Sequence, residues 1–99
     1  MSAISEQQFL ASLEQETPAV ELPPLLQAIR HGLRGEWEPA HRIAQTVDDA
    51  DGAWVHAWLH RVEGDLANAG YWYRRAGKPA ATESTDAEGR TIARALLER

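Results

Sequence analysis

The chain has no cysteine. Disulfides, iron–sulfur clusters, thiolate zinc sites and cysteine nucleophiles are therefore excluded. It has no apolar run near the roughly 20 residues that a membrane-spanning helix needs. Its first seven residues, Met1 to Gln7, set no basic region before an apolar block, as a secretory leader would. Positive charge is also short: ten basic side chains face fifteen acidic ones, for a net charge of −5. The deficit is concentrated in residues 1–50, which hold eight acidic and three basic side chains. Such a chain is repelled by phosphate backbones, so nucleic acid is not an expected partner. A basic amphipathic helix for a membrane surface is missing as well. There is no glycine-rich phosphate loop, no nucleophile elbow and no carboxylate pair at a defining spacing. Ser2, Ser5, Ser12 and Ser84 lie in caps or near the ends, and none stands beside a base. These absences together lead to the expectation of a cytoplasmic protein with no nucleic-acid or membrane partner.

Strands are the next absence. β-Branched residues are scarce, and no segment alternates with period two. What is present is helix-forming: alanine, leucine, glutamate, glutamine and arginine. The 99 residues, 43% of them hydrophobic, suit one small domain over residues 1–99 with a thin core.

Caps and breakers divide the chain into six helical segments. Ser5 with Gln8 forms a capping box, flanked by Ile4 and Phe9 at the staple positions. The first apolar face is Phe9, Leu10 and Leu13, and Pro18 lies in the loop that follows. A second helix starts at Pro23–Pro24, carries Leu25, Leu26, Ala28, Ile29 and Leu33, and stops at Gly35. The third has Pro39 in its first turn and an apolar stripe of Trp37, Ala40, Ile43 and Ala44. Asp48, Asp49 and Asp51 offer N-caps for a fourth, with Ala53, Trp54, Ala57, Trp58 and Val62 apolar and Gly64 as its stop. Asp65 caps a fifth that holds Leu66, Ala69, Tyr71, Trp72, Tyr73 and Ala76 and ends at Gly77 and Pro79. Thr85 with Glu88 forms the box for the last, which carries Ile92, Ala93, Leu96 and Leu97. Arg74, Arg75 and Lys78 form the one basic cluster, read as a cationic helix C-terminus that complements the macrodipole.

Two segments repeat at a spacing of 29 residues. Gly35-Glu36-Trp37-Glu38-Pro39-Ala40 aligns with Gly64-Asp65-Leu66-Ala67-Asn68-Ala69, and upstream Ala28 aligns with Ala57 and His31 with His60. Ala28 and Ala57 lie seven before the turn glycine, and Ala40 and Ala69 five after it. In the second copy Tyr73 lies nine after and Ala76 twelve after. This pattern resembles tetratricopeptide and Sel1-like repeats, in divergent form, over about residues 23–79. It departs from them where a large aromatic is usual, at Pro24 and Ala53, and where tyrosine is usual, at His31 and His60. The run from His56 to Pro79 also resembles a group of small bacterial proteins, which implies a shared fold and supplies no function. The resulting expectation is an all-α fold of five or six antiparallel helices. Two tetratricopeptide-like hairpins, about 23–48 and 50–79, are flanked by a helix at each end. A monomer, or a homodimer through an open end, is expected.

Two sets of residues are candidates for function. Trp54 and Trp58 are one helical turn apart with Arg61 nearby. The resemblance places them, with Tyr71, on the concave groove of a peptide-binding module, which implies a protein or peptide partner and no catalysis. Packing as core is the alternative for both tryptophans; Trp37 and Trp72 are assigned to inter-helix packing. The second set is His56 and His60, at i and i+4 on one helix face, with His41 on the preceding helix. That spacing suits two imidazole ligands of one metal, with Asp48, Asp49 or Glu63 to supply a carboxylate. The motif is not the His-Glu-x-x-His of zinc proteases. The competing account is that each ring replaces a repeat residue and is hydrogen-bonded inside its hairpin. With Tyr71, Tyr73, Asn68 and Arg61, the histidines define a second expectation: a small metal- or ligand-binding protein, with enzyme activity open. The first expectation needs no cofactor, and the second allows a metal.

Overall fold

In a computed structural model, residues 4–99 are described. Six helices follow one another: α1 (Glu6–Ser12), α2 (Pro24–Leu33), α3 (Trp37–Ala44), α4 (Ala50–Val62), α5 (Leu66–Ala76) and α6 (Thr85–Leu97). There is no strand among the described residues, and none of their helices is long and apolar enough to cross a membrane. Ser2 and the start of the expected leader-free segment lie outside the described residues.

The helix boundaries follow their local chemistry. The Ser5 hydroxyl accepts from the Gln8 amide at 3.0 Å while the Ser5 amide donates to Gln8 Oε1 at 2.9 Å, so the expected box is present. Of the three aspartates before α4, Asp49 is the cap and accepts from the Gly52 amide at 2.8 Å. At α6 the expectation is displaced by one residue. Ser84, not Thr85, is the cap and accepts from the Ala87 amide at 3.1 Å. Glu88 is thereby free to turn inward, where it is only 3% exposed. Gly35 and Gly64 have φ of 81° and 85°, and in both copies the amide after the glycine donates to the carbonyl of His31 or His60. The two repeat turns thus close in the same way.

α2 packs on α3 and α4 on α5 across these turns, and α4 also meets α2, α3 and α6. Most of its apolar residues are consequently buried: Ala53, Val55, Ala57, Trp58 and Leu59 are all in the interior. Phe9, Leu26, Ile29 and Ile92 complete the main core around Trp58. The indole of Trp58 lies in a slot that only glycine permits. A Cβ on Gly32 of α2 would stand 2.6 Å from its ring, and one on Gly89 of α6 would stand 2.5 Å from it. Its Nε1 donates to the Thr85 carbonyl at 2.7 Å, which satisfies the one polar atom that the burial would strand.

Gly89→Ala tests this slot. Helix propensity favours alanine by about 1 kcal/mol, but overpacking against a rigid indole costs about 1–3 kcal/mol. Net destabilisation is expected, read as a lower urea midpoint with unchanged slope. A midpoint at or above that of the wild type would mean the slot is not filled as described.

Candidate functional site

The site forms where α3, α4 and α5 meet. His41 lies one turn after Trp37 on α3, and their rings stack at 4.6 Å and 11°. Trp37 is itself fixed, because its Nε1 donates to the Leu59 carbonyl of α4 at 2.7 Å. His56 and His60 share one face of α4, and both are nine-tenths or more buried. Their rings stack at 4.8 Å, and Trp72 of α5 stacks on His56 at 3.9 Å and 14°. His41 meets this column edge-on, at 83° to His56 and 70° to His60. Two tryptophans thus wall three imidazoles, which restricts their rotation.

The ring nitrogens converge. His41 Nε2 and His56 Nε2 are 3.0 Å apart, and one ligand atom from each of His41, His56 and His60 falls within 4.8 Å of the others. His60 Nδ1 is held by Glu63 Oε1 at 2.7 Å, across the last turn of α4. A carboxylate on one imidazole nitrogen fixes the tautomer and leaves the other nitrogen as a lone-pair donor. Burial pushes the His56 imidazole down to about 4, and the neighbouring His41 and His60 add to the effect. Burial, then His60, also holds His41 below its ordinary value. Near neutral pH these two rings are therefore uncharged, the state in which imidazole binds a metal. The cluster has two chemical options. His41 and His56 can share a proton across their 3.0 Å contact, or the lone pairs can point at one cation.

Of the carboxylates expected nearby, only Glu63 takes this place. Asp49 is spent on the cap of α4, and Asp48 is exposed beside Arg75 at 3.8 Å. The tyrosines are engaged elsewhere. Tyr73 is buried and its hydroxyl donates to Glu88 Oε2, while burial and that carboxylate push its pKa well up. The Tyr71 hydroxyl accepts from Arg75 at 3.4 Å on the exposed side of α5. Asn68 is bonded to Asp65, so the expected mixed histidine–tyrosine–asparagine pocket does not assemble. The serines among the described residues are structural: Ser5 and Ser84 are caps, and the buried Ser12 donates to the Phe9 carbonyl at 2.5 Å.

The residues expected to line a peptide groove are dispersed. Trp58 is 1% exposed and belongs to the core, so it offers no surface to a partner. Arg61 is committed internally: it donates to Glu88 Oε1 at 2.9 Å and to the Glu83 carbonyl. Trp54 is half-buried beneath the Lys78 ammonium, 4.3 Å from its ring. Tyr71 alone of the four is largely exposed. Sequence reasoning missed the roles of Trp37 and Trp72 as walls of the imidazole cluster. Their spacing held a partial signal, since Trp37 lies one turn from His41 on the same face.

The depressed pKa of His56 ties the site to stability. Below the ordinary value of 6.5 the unfolded chain takes up a proton that folded His56 refuses until about 4. The unfolded state then binds more protons, so stability is complete above about pH 6.5 and falls as pH drops toward 4. The urea midpoint of metal-free protein is expected to fall between pH 6.5 and 5, above the range where carboxylates dominate. His56→Gln should flatten that slope, and a flat wild-type profile would contradict the buried, neutral ring. No family model matches the chain, and neither does any curated protein or solved structure.

Proposed function

We propose that this chain is a small metal-binding protein that holds one divalent transition ion of the zinc class through His41, His56 and His60. The observation that carries the reading is the convergence of three imidazole ligand atoms within 4.8 Å, contributed by two helices. Two nitrogens at 2.0–2.1 Å from a tetrahedral ion are about 3.3 Å apart. The His41–His56 separation of 3.0 Å is a few tenths from that value. Neutral rings, a carboxylate behind His60 and aromatic walls are the surroundings that such a site needs. Imidazole favours zinc, copper, nickel and cobalt over magnesium and calcium. Three protein ligands leave a fourth position for water or substrate, and a bound ion supplies Lewis acidity there.

The alternative is a tetratricopeptide-like module that binds a peptide or protein. Trp54 and Tyr71 remain available for it, and Leu66 beside the second turn is 68% exposed. The internal commitments of Trp58 and Arg61 make it the weaker reading.

Titration of metal-free protein with zinc against a competing chelator tests the proposal, with cobalt absorption as the probe of geometry. One ion per chain is expected. His60→Ala and His41→Ala should abolish stoichiometric binding while circular dichroism shows the helices intact. Glu63→Gln should weaken affinity by about 10–100-fold without changing stoichiometry. Failure of the wild type to bind, or equal affinity in His60→Ala, would refute the reading.

A further inference from the structure

Away from the imidazoles, α2 buries a cationic group. Arg30 is 4% exposed. Its Nε donates to the Ser12 carbonyl at 2.9 Å, and its Nη2 donates to the carbonyls of Gln15 and Glu16. Arg34 works beside it, with Nη1 donating to the Leu13 and Gln15 carbonyls at 2.8 and 2.9 Å. Together the two guanidinium groups close the end of α1. They differ in one respect: Arg34 has a carboxylate, Glu36 at 3.3 Å, whereas Arg30 makes no ion pair among the described residues. Burial and then Arg34 press on its charge, and Glu36 offsets them in part.

Nη1 of Arg30 bonds to nothing among the described residues, yet no buried side-chain nitrogen there lacks a partner. Nη1 therefore keeps some contact with solvent. Arg30 also lines a pocket of about 450 Å³ bounded by residues Glu16 to Leu22. Pro18, Val20 and Leu22 give the pocket apolar walls, and Gln27 and His31 add polar groups. The volume is in the range of small-molecule sites. Neutral carbonyls solvate a buried guanidinium but do not neutralise it, and an anion at Nη1 would do so with charge-assisted hydrogen bonds. The carbonyl bonds already hold the guanidinium in place, so little ordering is needed on binding. Glu16 and Glu21, both exposed, also line the pocket and repel multiply charged ligands. We propose that this pocket binds a small monocarboxylate with a short hydrocarbon body, its head group on Arg30 Nη1 and its body against Pro18, Val20 and Leu22.

The site is separate from the histidines, so chelator-treated protein tests it independently of metal. ¹⁵N-labelled protein is titrated with hexanoate, acetate and inorganic phosphate at constant ionic strength in chloride. Hexanoate is expected to give saturable millimolar shifts at the Arg30 Nε–H and at amides of residues 19–22. Acetate should bind more weakly for want of the hydrocarbon body, and phosphate more weakly than hexanoate because of its charge. Gln27→Glu sets a fixed carboxylate on the same helix face, one turn from Arg30, and should cost about tenfold in hexanoate affinity. Glu21→Gln removes an exposed carboxylate that lines the pocket and should tighten hexanoate binding. No saturable shift in the wild type, phosphate binding tighter than hexanoate, or unchanged hexanoate affinity in Glu21→Gln would overturn the proposal.

Discussion

A helix buried on several sides must match every polar group that it carries, and α4 is such a helix. It packs against α2, α3, α5 and α6. Unpaired polar atoms in that setting would cost several kcal/mol each. Each is in fact matched from another element or from its own last turn. The Trp58 indole bonds to Thr85, Arg61 to Glu88, His56 to His41, and His60 to Glu63. The two sides of α4 are satisfied differently. Toward α6 the match is an ion pair completed by Tyr73, fully used inside the fold. Toward α3 it is a cluster of imidazoles, of which burial keeps His41 and His56 uncharged near neutral pH. The first arrangement holds the fold together; the second is the one proposed to take a ligand.

The internal repeat gives a built-in comparison. In the first copy His31 Nδ1 meets Glu36 Oε1 at 2.8 Å, and in the second His60 Nδ1 meets Glu63 Oε1 at 2.7 Å. A histidine held by a carboxylate near the glycine turn is thus a shared structural device. By itself it says nothing about metal. The second copy differs because His56 stands where the first has Gln27, and because His41 reaches in from α3. Gln27 spends its amide on the Leu22 carbonyl at 2.6 Å, beside the Arg30 pocket. One repeat position therefore carries an imidazole for the cluster in one copy and a structural amide in the other.

Much of this was legible along the chain, and the limits are physical. Caps and turns are local, so Ser5, Asp65, Gly35 and Gly64 declared themselves. The i, i+4 histidines are also local, and a helix suffices to place them on one face. Which tryptophan of the Trp54–Trp58 pair is buried is a different kind of question. It is decided by Gly32 and Gly89, which lie on other helices and clear room for one indole only. The same holds for Arg61, whose partner Glu88 lies 27 residues away. It holds for Arg30, whose partners are backbone carbonyls with no side-chain signature. Periodicity reports which face is apolar, while long-range pairing decides which polar group is spent and which is spare.

X-ray absorption at the zinc edge of the loaded protein tests the central claim most directly. The account predicts three imidazole nitrogens at about 2.0–2.1 Å with one further light ligand, and outer-shell scattering from three rings. His41→Ala, which lacks the ligand from outside α4, should hold no stoichiometric ion and lose the three-ring signature. A spectrum with one imidazole or none, or one unchanged by His41→Ala, would show that the three rings pair among themselves and hold no common ion.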